Sequence, residues 1–385
     1  MERLARLVLV CEGDVESPDK AFSGSAHNML MHFRELGHPV STINTKLPDR
    51  TRAWVAARSY AYDRGHWRAR FRYGEVSARA KSRLAERGFS ALQQRPDVVL
   101  QIGAGFNPPG MDRTPYALYC DWNFALSIKN HSNRYSAIHQ MPEDEAERIN
   151  AREAEIYHSA AAIFTISERL RHSFIEDYRL PSDRVVAVNA GPNIAMSRLV
   201  APDRADRRGH PPTILFVGKE FERKGGDVLL KAFARVRERI AHARLIIAGP
   251  SELPDRPEGV EFLGLLRKDN SAEFERLLEA YRQADVFCLP SRQEPLGLVV
   301  VEAMFFSLPC VTTDIWAMPE MVVDGMTGFT VPPDSPDLLV DRLCRILENP
   351  WLARTMGAAG RTRAEERYTW TAATRAMHDK IQSIR

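Results

Sequence analysis

Short apolar runs alternate with amphipathic stretches along the chain, and the alternation predicts strands and helices in turn. Leu4–Cys11 is a short run, apolar but for Arg6, as expected of a strand buried on both faces. In Ser25–Leu36, residues Met29, Leu30, Phe33 and Leu36 recur at helical spacing, and Gly37 suits the C-terminal cap. Further strands are predicted at Pro39–Ile43, Asp97–Ile102, Tyr116–Tyr119, Ala161–Ile166 and Val185–Val188. Residues 200–212 are polar and rich in proline and arginine, the composition of a linker. The pattern then starts afresh with a strand at Thr213–Val217. A helix at Asp227–Ile240 follows, with Val228, Leu229, Ala232, Phe233, Val236 and Ile240 on one face. Strands at Arg244–Ala248, Val286–Leu289 and Pro309–Thr312 come next, and Pro350–Arg385 is predicted helical throughout. Strand, helix, strand in succession argues for parallel sheets with right-handed crossovers. The expected fold class is α/β: two Rossmann-like doubly wound domains, 1–199 and 213–365, facing a cleft. Such sheets bind ligands at the carboxyl ends of their strands.

Composition narrows the class. The chain has 385 residues, 44% hydrophobic and 27% charged, which is globular rather than disordered. No stretch approaches the ~20 apolar residues of a membrane helix. The N-terminus MERLARLVLVCEGD turns acidic too soon for a signal peptide and reads as the first strand. Five cysteines form no CxxC pair, so a disulfide framework or zinc knuckle is not expected and a reducing cytoplasm is. A net charge of +3 makes no demand for nucleic acid.

Two segments carry chemistry. In FVGKEFERKGGDVLL a strand ends at Val217, Gly218 breaks it and a helix begins near Gly226, with Lys219 and Lys224 on the loop between. A helix N-terminus with two lysines beside it favours phosphate groups. The GxxxxGK[ST] and GxGxxG orders are both absent, and a βα turn with solvated lysines is the plainer alternative. In PSRQEPLGLVVVEA, Glu294 and Glu302 stand eight apart. Glu294 falls in the loop after an apolar strand; Glu302 falls about two turns into the following helix. Two carboxylates so placed can accept hydrogen bonds from sugar hydroxyls. A glutamate closed into an ion pair is the competing reading for Glu302.

Together these segments resemble the family 4 glycosyltransferases, retaining enzymes of the GT-B fold that use nucleotide sugars. The resemblance runs through FVGKEFERKGGDVLLKAF, LIIAG, GVEFLG, ADVFCLPSRQEPLGLVVVEAM, LPCVTTD and MPEMVVDGMTGFTVPP, and more loosely through ELGHPV, AAIFTISERLR and VNAGPN. It implies that Lys219 and Lys224, with Gly218 and the amides near Gly297 and Leu298, hold the diphosphate of a nucleoside diphosphate sugar. It further implies that Glu302 binds the ribose, Glu294 the transferred sugar, and the backbone around Leu265 the base. The donor would be a UDP- or GDP-sugar, the acceptor a glycan, lipid-linked or small molecule. The last helix, 366–385, would cross back to the first domain.

No two aspartates are separated by a single residue, so the DxD element of metal-dependent relatives is missing. No cofactor and no metal are therefore expected. In the first domain, Gly24 in Ser23-Gly24-Ser25 could approach the diphosphate. Relatives place a His-Asp pair where this chain has Cys120-Asp121, leaving Asp121, with Asn123, to orient an acceptor or to cap a helix. His27 and His131 read as structural or surface residues. A nucleotide-sugar epimerase, or a binding protein without turnover, would share these signals.

Arg50–Arg87 carries eleven Lys or Arg against three acids, interleaved with Trp54, Tyr60, Tyr62, Trp67, Phe71 and Tyr73. A solvated helical insertion is the plain expectation. A surface for peripheral contact with anionic membrane lipid headgroups, or with a phosphorylated, lipid-linked acceptor, is the sharper one, with nucleic acid ranked below both.

Overall fold

A computed structural model gives the structure of residues 3–18, 21–129, 135–136, 138–202, 209–250, 252 and 257–384. The chain divides into two compact units, Met1–Ala190 with Trp370–Arg385, and Gly191–Thr369.

The first unit is built on six parallel strands: β1 (Leu7–Cys11), β2 (Val40–Asn44), β3 (Val98–Ile102), β4 (Tyr116–Cys120), β5 (Ala162–Thr165) and β6 (Val185–Ala187). They lie in the order β2-β1-β3-β4-β5-β6. Every residue of β1 and β4 is buried, which explains their unbroken apolar runs. The direction of winding reverses between β1 and β3, so the loops after those strands flank the switch point where doubly wound sheets bind ligands.

The second unit has β7 (Thr213–Val217), β8 (Arg244–Ala248), β9 (Val260–Gly264), β10 (Val286–Leu289), β11 (Cys310–Thr313) and β12 (Gly328–Val331). Their order, β12-β11-β10-β7-β8-β9, is the 3-2-1-4-5-6 arrangement of a dinucleotide-binding sheet. Its switch point lies between β7 and β10, which pair in parallel through Val286 with Ile214 and Phe287 with Leu215.

The basic segment folds as three helices, Asp49–Arg58, Arg64–Tyr73 and Glu75–Ser90, each with a face buried in the first unit. One expectation is corrected. The C-terminal segment is two helices, Pro350–Arg367 and Trp370–Ile384, because Tyr368 leaves helical geometry at φ −117°, ψ 56°. The Tyr368 hydroxyl is anchored on the Glu320 carbonyl at 2.9 Å. The second helix belongs to the first unit: His378 meets His38 at 2.7 Å, and Gln382 accepts from the Ala5 amide. The junction at Ala190 precedes the 200–212 stretch, since Asn193 and Arg198 are held within the second unit by Lys268 and Glu275. Among the described residues no helix is long and apolar enough to cross a membrane.

Candidate functional site at the β7 and β10 loops

The site begins where β7 stops. The Gly218 amide donates to the Ala248 carbonyl at 2.8 Å, and a Cβ on Gly218 would meet Lys224 Cδ at 2.4 Å. Glycine thus lets the Lys224 stem fold back over the strand end, while Lys219 points outward, exposed. Gly225 caps the helix Gly226–Arg239 in the left-handed region, φ 72°. A Cβ there would lie 1.9 Å from the Pro290 carbonyl oxygen. The loop after β7 therefore rests directly on the loop after β10.

Side chains fasten the two loops. Lys224 Nζ lies 2.6 Å from Glu294 Oε2, and Arg223 comes within 3.6 Å of the same oxygen. Glu294 is buried, yet Oε2 accepts no aligned hydrogen bond, so this contact is an ion pair by distance alone. Arg223 also donates to the Gln293 carbonyl at 2.5 Å and pairs with Glu220. Arg292 forks onto both oxygens of Asp227 at 2.7 Å and reaches Asp334 at the same distance. Those hydrogen bonds hold the Arg292 guanidinium further toward its charged form; burial alone would raise Asp227, but Arg292 brings its carboxyl below the ordinary range. Three cations (Lys224, Arg223 and Arg292) and four carboxylates (Glu294, Glu220, Asp227 and Asp334) meet here, beside the helix Leu298–Phe305. That helix starts at Gly297 with φ 80° and no side-chain cap. Its first-turn N–H groups and the lysines form a surface suited to a polyanion.

Glu302 is 1% exposed and already partnered. Lys268 donates to Oε1 at 2.8 Å and the Tyr281 hydroxyl to Oε2 at 3.1 Å. Lys268 also reaches the Asn193 carbonyl at 3.3 Å, and Tyr281 stacks on Phe306 with ring centroids 5.0 Å apart. The ion-pair reading of Glu302 thus holds in this structure. A ligand would reach it through lone pairs that Lys268 and Tyr281 leave over. Leu265, just past the end of β9, is 46% exposed. Lys268, Tyr281, Arg223 and Arg292 were not singled out from sequence. Arg223 and Arg292 stand beside the quoted lysine and glutamate, a usable signal, but nothing in spacing ties Lys268 to Glu302.

In the first unit, the loop after β1 ends in a turn with Phe22, Ser23 and Gly24 all at positive φ (49°, 55° and 95°). Two consecutive non-glycine residues in that region are a strained arrangement of the kind found at ligand sites. Gly24 then opens the helix Ser25–Glu35 without a side-chain cap. Asp121, just past β4, is half-buried; desolvation pushes its carboxyl up to about 6, against its own backbone hydrogen bond and the charge of Arg72. Glu153, also in the first unit, is pushed up by burial to about 7. Asn123 is fully buried, accepting from the Leu126 amide at 2.8 Å and donating to Ser173 at 3.1 Å. It is a helix cap, not an acceptor ligand. Half-buried His27 meets the Val15 carbonyl at 3.0 Å, a structural role. His131 lies outside the described residues. Among the described residues, no three His, Cys, Asp or Glu side chains converge as a metal site.

Residues 211–349 match the sequence family described as Glycosyl transferases group 1. The D-inositol 3-phosphate glycosyltransferase of Corynebacterium efficiens is 30% identical over 276 residues, 65% of this chain and 64% of that protein. The match thus spans just under two thirds of that relative's length. The phosphatidyl-myo-inositol mannosyltransferase of Mycobacterium tuberculosis is 36% identical over 166 residues, 41% of this chain and 44% of that protein. Among solved structures, sucrose-phosphate synthase from Thermosynechococcus elongatus superposes with a TM-score of 0.71 at 18% identity, covering 99% of both chains. The UDP-forming α,α-trehalose-phosphate synthase of Burkholderia xenovorans gives 0.69 at 14% identity, also over 99% of each. These structural matches establish the fold.

Proposed function

We propose that this chain, whose residues 211–349 form a glycosyl transferases group 1 domain within a GT-B fold, is a retaining glycosyltransferase. It moves a sugar from a nucleoside diphosphate sugar to an acceptor hydroxyl in glycan, glycolipid or polysaccharide synthesis. The observation that carries the reading is the Lys224–Glu294 pair at 2.6 Å, set at the switch point between β7 and β10.

In this reading the diphosphate takes Lys224 from Glu294. Lys219, Lys224 and the amides at Gly297 and Leu298 stabilise the charge that grows on the leaving phosphate as the glycosidic C–O bond breaks. Glu294, freed of its lysine, accepts from the sugar hydroxyls. Glu302, oriented by Lys268 and Tyr281, accepts from the ribose, and the Leu265 backbone flanks the base. The acceptor hydroxyl attacks on the face the phosphate leaves, and the departing phosphate oxygen takes its proton. Asp121 orients the acceptor. No metal is required, because lysines and a helix N-terminus supply the charge.

A UDP- or GDP-sugar is the proposed donor; a structural neighbour from Anabaena, HepE, was solved with UDP and glucose. The enzyme would work in the cytoplasm. Trp54, Tyr60 and Tyr62, 53%, 64% and 98% exposed among the arginines of the basic helices, would give it peripheral contact with anionic membrane.

The test is a panel of UDP-, GDP-, ADP- and dTDP-sugars in EDTA, followed by thermal shift and release of nucleoside diphosphate. One nucleotide at ~100 times its Kd should stabilise the protein by roughly 2.7 kcal/mol. Loss of that shift in Lys219→Ala supports the site. An epimerised donor with no diphosphate released would replace transfer with epimerisation; binding without turnover under any acceptor would leave a binding protein.

A further inference from the structure

The basic helices and the helix Glu143–Ser159 line a cavity that the diphosphate site does not use. It has a volume of about 340 Å³ and lies wholly in the first unit, lined by Arg58, Arg70, Arg148 and Arg152 with Glu75 and Glu145. That is the low end of the ~300–1,000 Å³ range of small-molecule sites.

The charges are unevenly cancelled. Glu145 is held from two sides, by Arg70 at 2.9 Å and by His66 at 2.8 Å. Glu75 is shared between Arg79 at 2.6 Å and Arg152 at 3.3 Å. Among the described residues Arg148 is engaged only by Asp144, with both side chains more than two thirds exposed. The Arg58 side chain, at the end of its helix, makes no ion pair or hydrogen bond among the described residues. Arg152 donates to the Tyr73 and Gly105 carbonyls at 3.1 and 3.4 Å and comes within 4.0 Å of Glu153, but its Nε is buried without an acceptor among the described residues. Gly74, also on the wall, opens the sixteen-residue helix Glu75–Ser90 with no side-chain cap, so that helix presents its first-turn N–H groups there. Four guanidinium groups, an unspent buried donor and a helix N-terminus around one small cavity match the oxygens of a phosphate monoester.

We propose that this cavity is an anion site for the phosphate group of a small phosphomonoester or of a phospholipid headgroup. Arg58 and Arg148 grip the phosphate from the rim, Arg152 and the helix N-terminus from the wall. Glu75 is the counter-charge that the ligand displaces from Arg152. The site does not depend on the donor site, because binding is measured with no donor present; its lipid form alone rests on the membrane contact proposed above.

The experiment is calorimetric titration of the full chain with inorganic phosphate, glucose 6-phosphate and glucose, alongside co-sedimentation with vesicles of phosphatidylglycerol in phosphatidylcholine. Variants are Arg58→Gln, Arg148→Gln, their double variant and Glu75→Gln, each checked by its melting curve. We expect glucose 6-phosphate to bind and glucose not to, with the double variant at least ~10-fold weaker. Glu75→Gln, which removes a competing carboxylate, should bind more tightly. If only the vesicles bind, and the double variant abolishes it, the phosphate is a lipid headgroup and the site stands. Binding that is equal in all variants, or absent for every phosphate form, overturns the proposal.

Discussion

Lys224 Nζ and Glu294 Oε2 stand 2.6 Å apart across two loops that meet at the switch point of the second sheet. The lysine belongs to the turn after β7, the glutamate to the turn after β10. Both side chains are largely withdrawn from water, so removing one leaves the other charge poorly compensated. Lys224→Ala and Glu294→Ala should each lower turnover by at least ~10², the scale of losing one charge-stabilising group at a reacting centre. Combined, they should cost much less than the sum, because the groups share one interaction. Rates near wild type in either single variant would remove the pair from the mechanism.

Glu302 makes a second, separate claim. Its carboxylate is closed in by Lys268 at 2.8 Å and Tyr281 at 3.1 Å. Lys268→Met would strand a buried carboxylate, at a cost approaching ~3 kcal/mol. Tyr281→Phe would remove one hydrogen bond, about 1 kcal/mol. Urea unfolding should rank the two in that order, and the donor KM should rise in Lys268→Met with a smaller change in kcat. Equal stabilities would mean that Lys268 contributes nothing to holding Glu302.

The parts of the molecule that could be read from sequence are those whose cause is local. β1, β7, β8 and β10 are central, buried strands, and their unbroken apolar runs follow from burial on both faces. β9 is half-buried and β12 holds only four residues with a glycine, so neither stands out by periodicity. The break at Tyr368 has no proline or glycine to mark it; a tertiary hydrogen bond to Glu320 accompanies it. The same division runs through the site. Lys224 and Glu294 lie in loops whose glycines and flanking strands are visible in the sequence. Lys268 is 34 positions from Glu302 and meets it only through the winding of the sheet.

Gly225 tests how closely the two loops must approach. A side chain there meets two penalties: φ is +72°, and the added Cβ would fall 1.9 Å from the Pro290 carbonyl oxygen. The neighbour is backbone and has nowhere cheap to go. Gly225→Ala should cost more than the ~1–2 kcal/mol of the left-handed conformation alone. Nucleotide affinity should fall with it as the β7 loop is pushed off the β10 loop. A melting curve within a degree of wild type would show that the loops tolerate separation.

The His38–His378 contact gives the first unit a dependence on acid. His38 is buried, its Nδ1 lies 2.8 Å from the Ala5 carbonyl, and its Nε2 lies 2.7 Å from His378. The carbonyl can only accept, so Nδ1 carries the proton and Nε2 is left to accept from His378. Burial lowers the His38 pKa, and the charge of His378 adds to this against the Ala5 hydrogen bond. A histidine with a lowered folded pKa stabilises the fold above its unfolded value of ~6.5, and that contribution is lost as pH falls through it. His38→Gln, which does not titrate, should therefore narrow the stability difference between pH 7.5 and 5.5, read by urea midpoints. An unchanged difference would assign the acid sensitivity to other groups.

Asp121 runs in the opposite direction. Its carboxyl is pushed up by burial from an ordinary 3.8 to about 6, so the folded chain binds protons there more readily than the unfolded chain. Stability from this residue is greatest in acid and falls as pH rises from ~4 to 6, and above that the carboxylate sits charged in a poorly solvating place. No structural partner in the described residues justifies that cost as a fold requirement; the opposing influences are its own backbone hydrogen bond and the charge of Arg72. A group kept at a loss to stability is what a functional role would leave behind. Asp121→Asn should accordingly melt higher than wild type at pH 7.5, with the gain shrinking toward pH 4, while acceptor-dependent transfer falls and donor binding stays unchanged. A variant both less stable and equally active would make Asp121 a structural carboxylate and leave the acceptor to other residues of the first unit.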